Sequence, residues 1–190
     1  MRYLITLPWM PYPATDGGKQ GSFNMLMELQ NMIDITLIYP VFFKKQMACQ
    51  YLLEKQLPKV KVYPFEYYKN KDGIKSQYSL FRLHRIITRK FLKQPYLATP
   101  IYKDAYIDFV NEIIKKDRID IVQNEYFEQL YMVYAIPNTV KKVFIQHEIQ
   151  YIAKERLFQQ REYPSSVRYL ATMQRIQEIN ALNEYDQVIT

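Results

Sequence analysis

Cysteine is almost missing from the 190-residue sequence, with Cys49 the only one. No disulfide can form within the chain, and no cluster of thiolates can hold zinc or an iron–sulfur centre. A reducing, cytoplasmic setting and no metal are the expectations. Long hydrophobic runs are missing too. The opening run Tyr3 to Leu7 stops at Pro8, short of a signal-peptide core, and no stretch reaches the roughly 18 apolar residues of a membrane-spanning helix. Glycine is scarce, at four, and histidine scarcer, at two. Repeats and low-complexity segments are absent.

What is present is a basic, aromatic-rich globular composition. Lys and Arg number 26 against 19 Asp and Glu, a net charge of +7, with 18 Tyr, 10 Phe and 48% apolar residues. At roughly 150 residues per domain, one domain is expected, large enough to bury a core without disulfides or metals. The charge admits nucleic acid, anionic lipid or phosphorylated small molecules as partners. No RRM-type aromatic signature or helix-turn-helix pattern is found, so nucleic acid is not expected.

Short apolar runs alternate with helical periodicity. Strands are predicted at Tyr3 to Leu7, Ile35 to Tyr39 closed by Pro40, Val60 to Tyr63 closed by Pro64, Ile119 to Val122, Val140 to Gln146 and Val188 to Thr190. Helices are predicted at Ser22 to Met32, Lys45 to Gln56, Ser79 to Lys93, Tyr106 to Lys116, around Phe127 to Tyr134, and at Ser165 to Asn183. Such alternation predicts an α/β fold: a Rossmann-like, doubly wound, mainly parallel sheet of about six or seven strands with helices on both faces. The chain stops inside a strand, which suggests a cut at a domain boundary. Open sheets of this kind often pair with a second half across the ligand crevice.

Candidate site residues follow from that topology. Gly17, Gly18 and Gly21 fall between the first strand and its helix, where glycine lets backbone N–H groups approach a phosphate at a helix start. An ordinary turn before the helix is the alternative. The spacing matches neither G-x-G-x-x-G nor a P-loop. Asp16 and Lys19 flank Gly17 and Gly18 and, like Glu148, are substrate-binding candidates with them; Asp16 is either a ligand group or a turn and cap residue. His147 follows the predicted fifth strand, between Gln146 and Glu148, at the carboxyl edge where ligands bind in open sheets. It is either structural or a ligand group. Glu125 follows the fourth strand in the same way, with the alternative of an acid placed at a helix start. The segment Phe81 to Lys93 sets Arg82, Arg85, Arg89 and Lys93 beside apolar residues. That pattern suits either an anionic membrane surface or a core-facing helix with a solvated back. His84, in the same segment, reads as a solvated helix residue.

Four segments carry a family resemblance. Arg2 to Pro13 followed by Asp16-Gly17-Gly18, Asp120 to Glu125, Lys142 to Glu148, and Asn183 to Thr190 resemble, in order and spacing, the amino-terminal acceptor-side domain of family-four glycosyltransferases of the GT-B fold. The resemblance implies retaining transfer of a sugar from a nucleotide-sugar to an acceptor hydroxyl, in a cleft between two Rossmann-like domains. His147 matches the family's active-site histidine, which would hydrogen-bond the transferring sugar, and Gly17 and Gly18 would lie near the donor's phosphates. The implied partners are a nucleotide-sugar, held by a second domain that these 190 residues lack, and a glycan or lipid-linked acceptor. No cofactor is implied. The resemblance also implies a peripheral position at the inner face of the cell membrane, and an inactive domain when alone. The competing expectation is a non-catalytic, basic Rossmann-like module that docks on an anionic membrane surface or on nucleic acid.

Overall fold

In the computed structural model the described residues are 1–69, 104–160, 162 and 164–190. The predicted basic helix, with Arg82, Arg85, Arg89 and Lys93, lies outside them. The described chain forms a six-stranded sheet of β1 (Arg2–Thr6), β2 (Asp34–Val41), β3 (Lys61–Glu66), β4 (Ile121–Glu125), β5 (Lys141–Ile145) and β6 (Gln187–Ile189). The strand order is β3-β2-β1-β4-β5-β6. Every neighbouring pair is parallel. This is the doubly wound, Rossmann-like arrangement, and its order reverses between β1 and β4. Five α-helices are described: α1 (Gly17–Leu29), α2 (Gln50–Gln56), α3 (Asp104–Lys116), α4 (Gln150–Gln160) and α5 (Ser165–Asn183).

The period of two along each strand divides the core between the two faces of the sheet. Ile5, Leu37 and Tyr39 are buried with Leu26 of α1 and Leu53 of α2. Their neighbours Leu4 and Ile38 are buried on the opposite face with Val110, Ile113 and Ile114 of α3. Both faces are thus covered, which is why β1 and β2 read as unbroken apolar runs instead of alternating ones. Phe144 of β5 joins Ala181 of α5 and Tyr185 in a third cluster. Each fully buried leucine or isoleucine in these layers contributes about 1.5–3 kcal/mol.

Several boundaries differ from those predicted. β2 runs through Pro40 and β3 through Pro64. Pro40 lies beyond the stretch paired with β1, which ends at Ile38, and β3 is an edge strand, so neither ring removes a central ladder bond. Residues Phe127–Tyr134 are 3-10 rather than α-helix, as are Lys44–Cys49 ahead of α2. The helix α4 has no counterpart among the predicted elements. Finally, α1 begins at Gly17, a turn and a half before Ser22, because Asp16 caps it with its carboxylate on the Lys19 amide at 3.0 Å.

Candidate functional site

Residues at the ends of β1, β4 and β5 meet at the reversal of strand order, on the carboxyl edge of the sheet. The register Tyr3↔Ile121 to Thr6↔Asn124 brings the ends of β1 and β4 level. Glu125 pairs with Ile145, two residues before His147. Side-chain alternation turns Asn124 and Glu125 to opposite faces. Asn124 accepts from the Thr6 hydroxyl at 2.6 Å and donates to Tyr185 at 2.9 Å, while the Tyr185 hydroxyl donates to the Leu130 carbonyl at 2.7 Å. This buried chain fixes β1, β4 and the end of α5 beneath the edge.

Glu125 turns to the α1 face and is 1% exposed. Its carboxylate accepts from Gln123 Nε2 at 2.6 Å, from the Ser22 hydroxyl of α1 at 3.2 Å and from His147 Nε2 at 3.3 Å. Three donors from three elements satisfy a charge that would otherwise be costly to bury. Glu125, expected to bind substrate, is the last residue of β4 and lies buried beneath the histidine. His147 has a 39% exposed side chain. Toward a carboxylate its Nε2 must carry the hydrogen, and in the neutral ring that makes Nδ1 the acceptor. Nδ1 has no partner among the described residues.

Tyr126, the next residue, joins these groups. Its ring stacks on His147 with centroids 4.1 Å apart and lies 4.5 Å from Trp9 of the loop after β1. Its hydroxyl donates to the Gly18 carbonyl at 2.8 Å and lies 3.1 Å from the Ser22 hydroxyl. Two hydroxyl hydrogens thus serve three contacts, counting that of Ser22 with Glu125, so this corner has an alternative hydrogen-bond arrangement. Burial pushes the Tyr126 phenol up, and the carboxylates of Glu125, Asp16 and Glu128 add to the push, while the Ser22 contact opposes it. The Tyr126 backbone has φ 67° and ψ 153°, a region that side chains other than glycine's rarely enter.

The three predicted loop glycines are corrected in place, since all of them lie within α1. A Cβ on Gly18 would sit 3.2 Å from the Tyr126 hydroxyl, whereas at Gly17 and Gly21 nothing lies within 4 Å. Close approach therefore applies at Gly18, and its neighbour is the Tyr126 side chain. Asp16 takes the cap role, with its carboxyl held below the usual range by the Lys19 amide. Lys19 Nζ lies 3.4 Å from the Asp16 carboxylate and donates to Thr15 at 3.2 Å. An anion at this helix start would compete with Asp16 for the Lys19 amide, while the amides of Gly17 and Gly18 have no acceptor within the helix. Glu148 is exposed and accepts from Gln150 Nε2 at 2.8 Å.

Of the predicted residues, Gly18, Glu125 and His147 are brought together; Asp16 and Lys19 pair with each other, and Glu148 turns to α4. Ser22, Gln123 and Tyr126 complete the cluster. Their signal in the sequence is slight: Ser22 is one polar residue within an apolar helix pattern, and Gln123 an amide within a buried strand. Among the described residues no group of His, Cys, Asp and Glu is arranged to hold a metal ion. Among them also no helix is long and apolar enough to cross a membrane.

No family model matches the chain, and no curated protein matches it. Among solved structures, a short-chain dehydrogenase from Oenococcus oeni PSU-1 is similar at 11% identity and a TM-score of 0.31, over 99% of this chain and 94% of that one. A structure from Bacillus thuringiensis bearing the name 3-oxoacyl-reductase is similar at 9% identity and a TM-score of 0.28, over 99% of this chain and 95% of that one. The domain class, a Rossmann-like α/β sheet, rests on the strand order and parallel register described above.

Proposed function

We propose that this chain is the acceptor-side domain of a retaining sugar transferase, acting with a second domain that holds the nucleotide-sugar donor. One observation carries the reading: His147 stands at the carboxyl edge, part-exposed, with Nε2 bound to a buried carboxylate and Nδ1 without a partner among the described residues. The segment from Lys142 to Glu148 is also the one whose likeness to family-four glycosyltransferases implies a sugar-contacting histidine. Such a ring presents a fixed acceptor to a sugar hydroxyl, because Glu125 holds its tautomer and Tyr126 its plane. The sugar would pass from the nucleotide diphosphate to an acceptor hydroxyl with retention, on a glycan or a lipid-linked glycan. The leaving diphosphate gathers negative charge, and the amides of Gly17 and Gly18, which have no acceptor within the helix, are donors suited to it.

The test is His147→Ala in the longer protein that contains this domain. The loss of one neutral hydrogen bond of about 0.5–1.5 kcal/mol predicts a fall in kcat/KM of roughly 2- to 10-fold in a variant that stays folded, with a lower thermal midpoint because Glu125 loses a donor and Tyr126 a ring contact. Unchanged turnover on the protein's own acceptor overturns the assignment. Calorimetry on the 190-residue chain tests which half this is. Weak nucleotide-sugar binding is expected, and a Kd of about 1 μM or below, near 8 kcal/mol, would make it the donor side instead.

A further inference from the structure

The antiparallel pair α4–α5 contains a buried polar strip that the site above does not use. A helix leaves its first N–H groups without intrahelical partners, and a polar residue just before it normally accepts from one of them. Before α4 stands Ile149, whose side chain has no acceptor. The acceptor comes from α5 instead. Glu178 takes the Gln150 amide on Oε1 at 3.1 Å and the Tyr151 amide on Oε2 at 3.0 Å. Oε1 also takes Gln146 Nε2, on the other side of His147, at 3.4 Å. Glu178 is 0% exposed. One helical turn along, Lys154 Nζ donates to Gln174 Oε1 at 2.8 Å, a second rung of the same strip.

Capping α4 does not by itself require this arrangement. A serine or aspartate at position 149 would accept from the same helix start without burying a charge, and it would leave Gln146 alone. What Glu178 adds is a grip on both ends of the segment that carries the histidine. Burial pushes its carboxyl up against the pull of the two amides and of Lys154, so the charge is held there at some cost.

We propose that Glu178 is the positioning residue for His147: by binding Gln146 on one side and the amides of Gln150 and Tyr151 on the other, it holds the ring against Glu125 and Tyr126. The importance of that position for sugar transfer rests on the function proposed above; the positioning itself does not.

The histidine ring gives a direct readout. The sequence has two histidines, so a His84→Gln background leaves a single ring in 15N-edited spectra of the 190-residue chain. Glu178→Gln should move the His147 Nδ1 and Nε2 signals toward the averaged values of a histidine exchanging freely between tautomers. Gln146→Ala, which cuts one of the three contacts, should move them the same way by less, and it carries the test if Glu178→Gln does not fold. Lys154→Met disturbs the same helix pair one turn away and should leave the ring signals in place even where it lowers stability as much. In the longer protein, Glu178→Gln should lower kcat by roughly 2- to 10-fold with KM little changed, as a misplaced group does. Ring signals unmoved by Glu178→Gln and Gln146→Ala, or moved equally by Lys154→Met, overturn the proposal. If Glu178→Gln moves the ring while His147→Ala leaves sugar transfer intact, the positioning stands and the transferase reading falls.

Discussion

Replacing Glu125 separates what its charge does from what its shape does. Alanine there would strand Gln123 Nε2, the Ser22 hydroxyl and His147 Nε2 beside a new cavity in a buried corner. Breaking a buried charged network by removing one partner costs about 3–5 kcal/mol, a large share of the 5–15 kcal/mol that holds a typical domain. Glutamine is different. Its carbonyl oxygen can stay where Oε2 is, still accepting from Ser22 and His147, while its amide nitrogen meets Gln123, whose own amide can turn over to accept. Each bond then becomes neutral and weaker, for a total of about 1–2 kcal/mol. Urea unfolding of the 190-residue chain should therefore rank the proteins wild type, Glu125→Gln, Glu125→Ala in falling stability. The His147 ring should keep its Nε2–H form in the glutamine variant and lose that preference in the alanine variant. A cost below about 1 kcal/mol for Glu125→Ala, less than one unsatisfied buried donor, would mean that the three donors do not depend on this carboxylate.

Gly21→Ala should raise stability by about 0.5–1 kcal/mol, since the position is helical with open space around a Cβ, whereas Gly18→Ala should gain nothing because its Cβ would press on the Tyr126 hydroxyl. Denaturant midpoints compare the two, and an equal gain would remove the close approach at Gly18. Burial lowers the Lys154 amine from 10.5 to about 8, so between those values the folded chain binds fewer protons than the unfolded one. Stability should then rise with pH from about 8 to 9.5, below the range of the tyrosine phenols, and Lys154→Met should flatten that slope; a slope equal in both proteins refutes the burial of a charged amine.

The fold was readable because its signals are local. Six apolar runs and their helical intervals mark a doubly wound sheet from composition and period alone, and the structure keeps that order. The boundaries it moved depend on neighbours. Whether Pro40 and Pro64 end a strand depends on which side of it is paired, and that is a property of the sheet. The helix α4 was invisible because its cap, Glu178, lies 28 residues after Gln150. The start of α1 was misplaced because glycine marks turns by propensity, and here an aspartate cap overrides it. The sequence places His147 and Glu125 near strand ends, and the structure adds the hydrogen bond between them. Strand parity turns Glu125 under α1, toward Ser22, and parity follows from register, which one strand's sequence does not show.

The geometry of Tyr126 explains why these pieces belong together. Its φ of 67° with ψ of 153° is a conformation costing of order 1–3 kcal/mol for a side chain with a Cβ. Against that stand the ring contacts with His147 and Trp9 and the bond to the Gly18 carbonyl, each about 0.5–1.5 kcal/mol. The two sums are of the same size, so no single contact holds the turn in place. The partners come from the loop after β1, the first turn of α1 and the segment after β5, none of them near residue 126 in the chain. The turn at Tyr126, just after Glu125, is therefore held by the three contacts together. The exposed histidine is held from below by Glu125 and from its ring face by Tyr126, so the position of its ring depends on both.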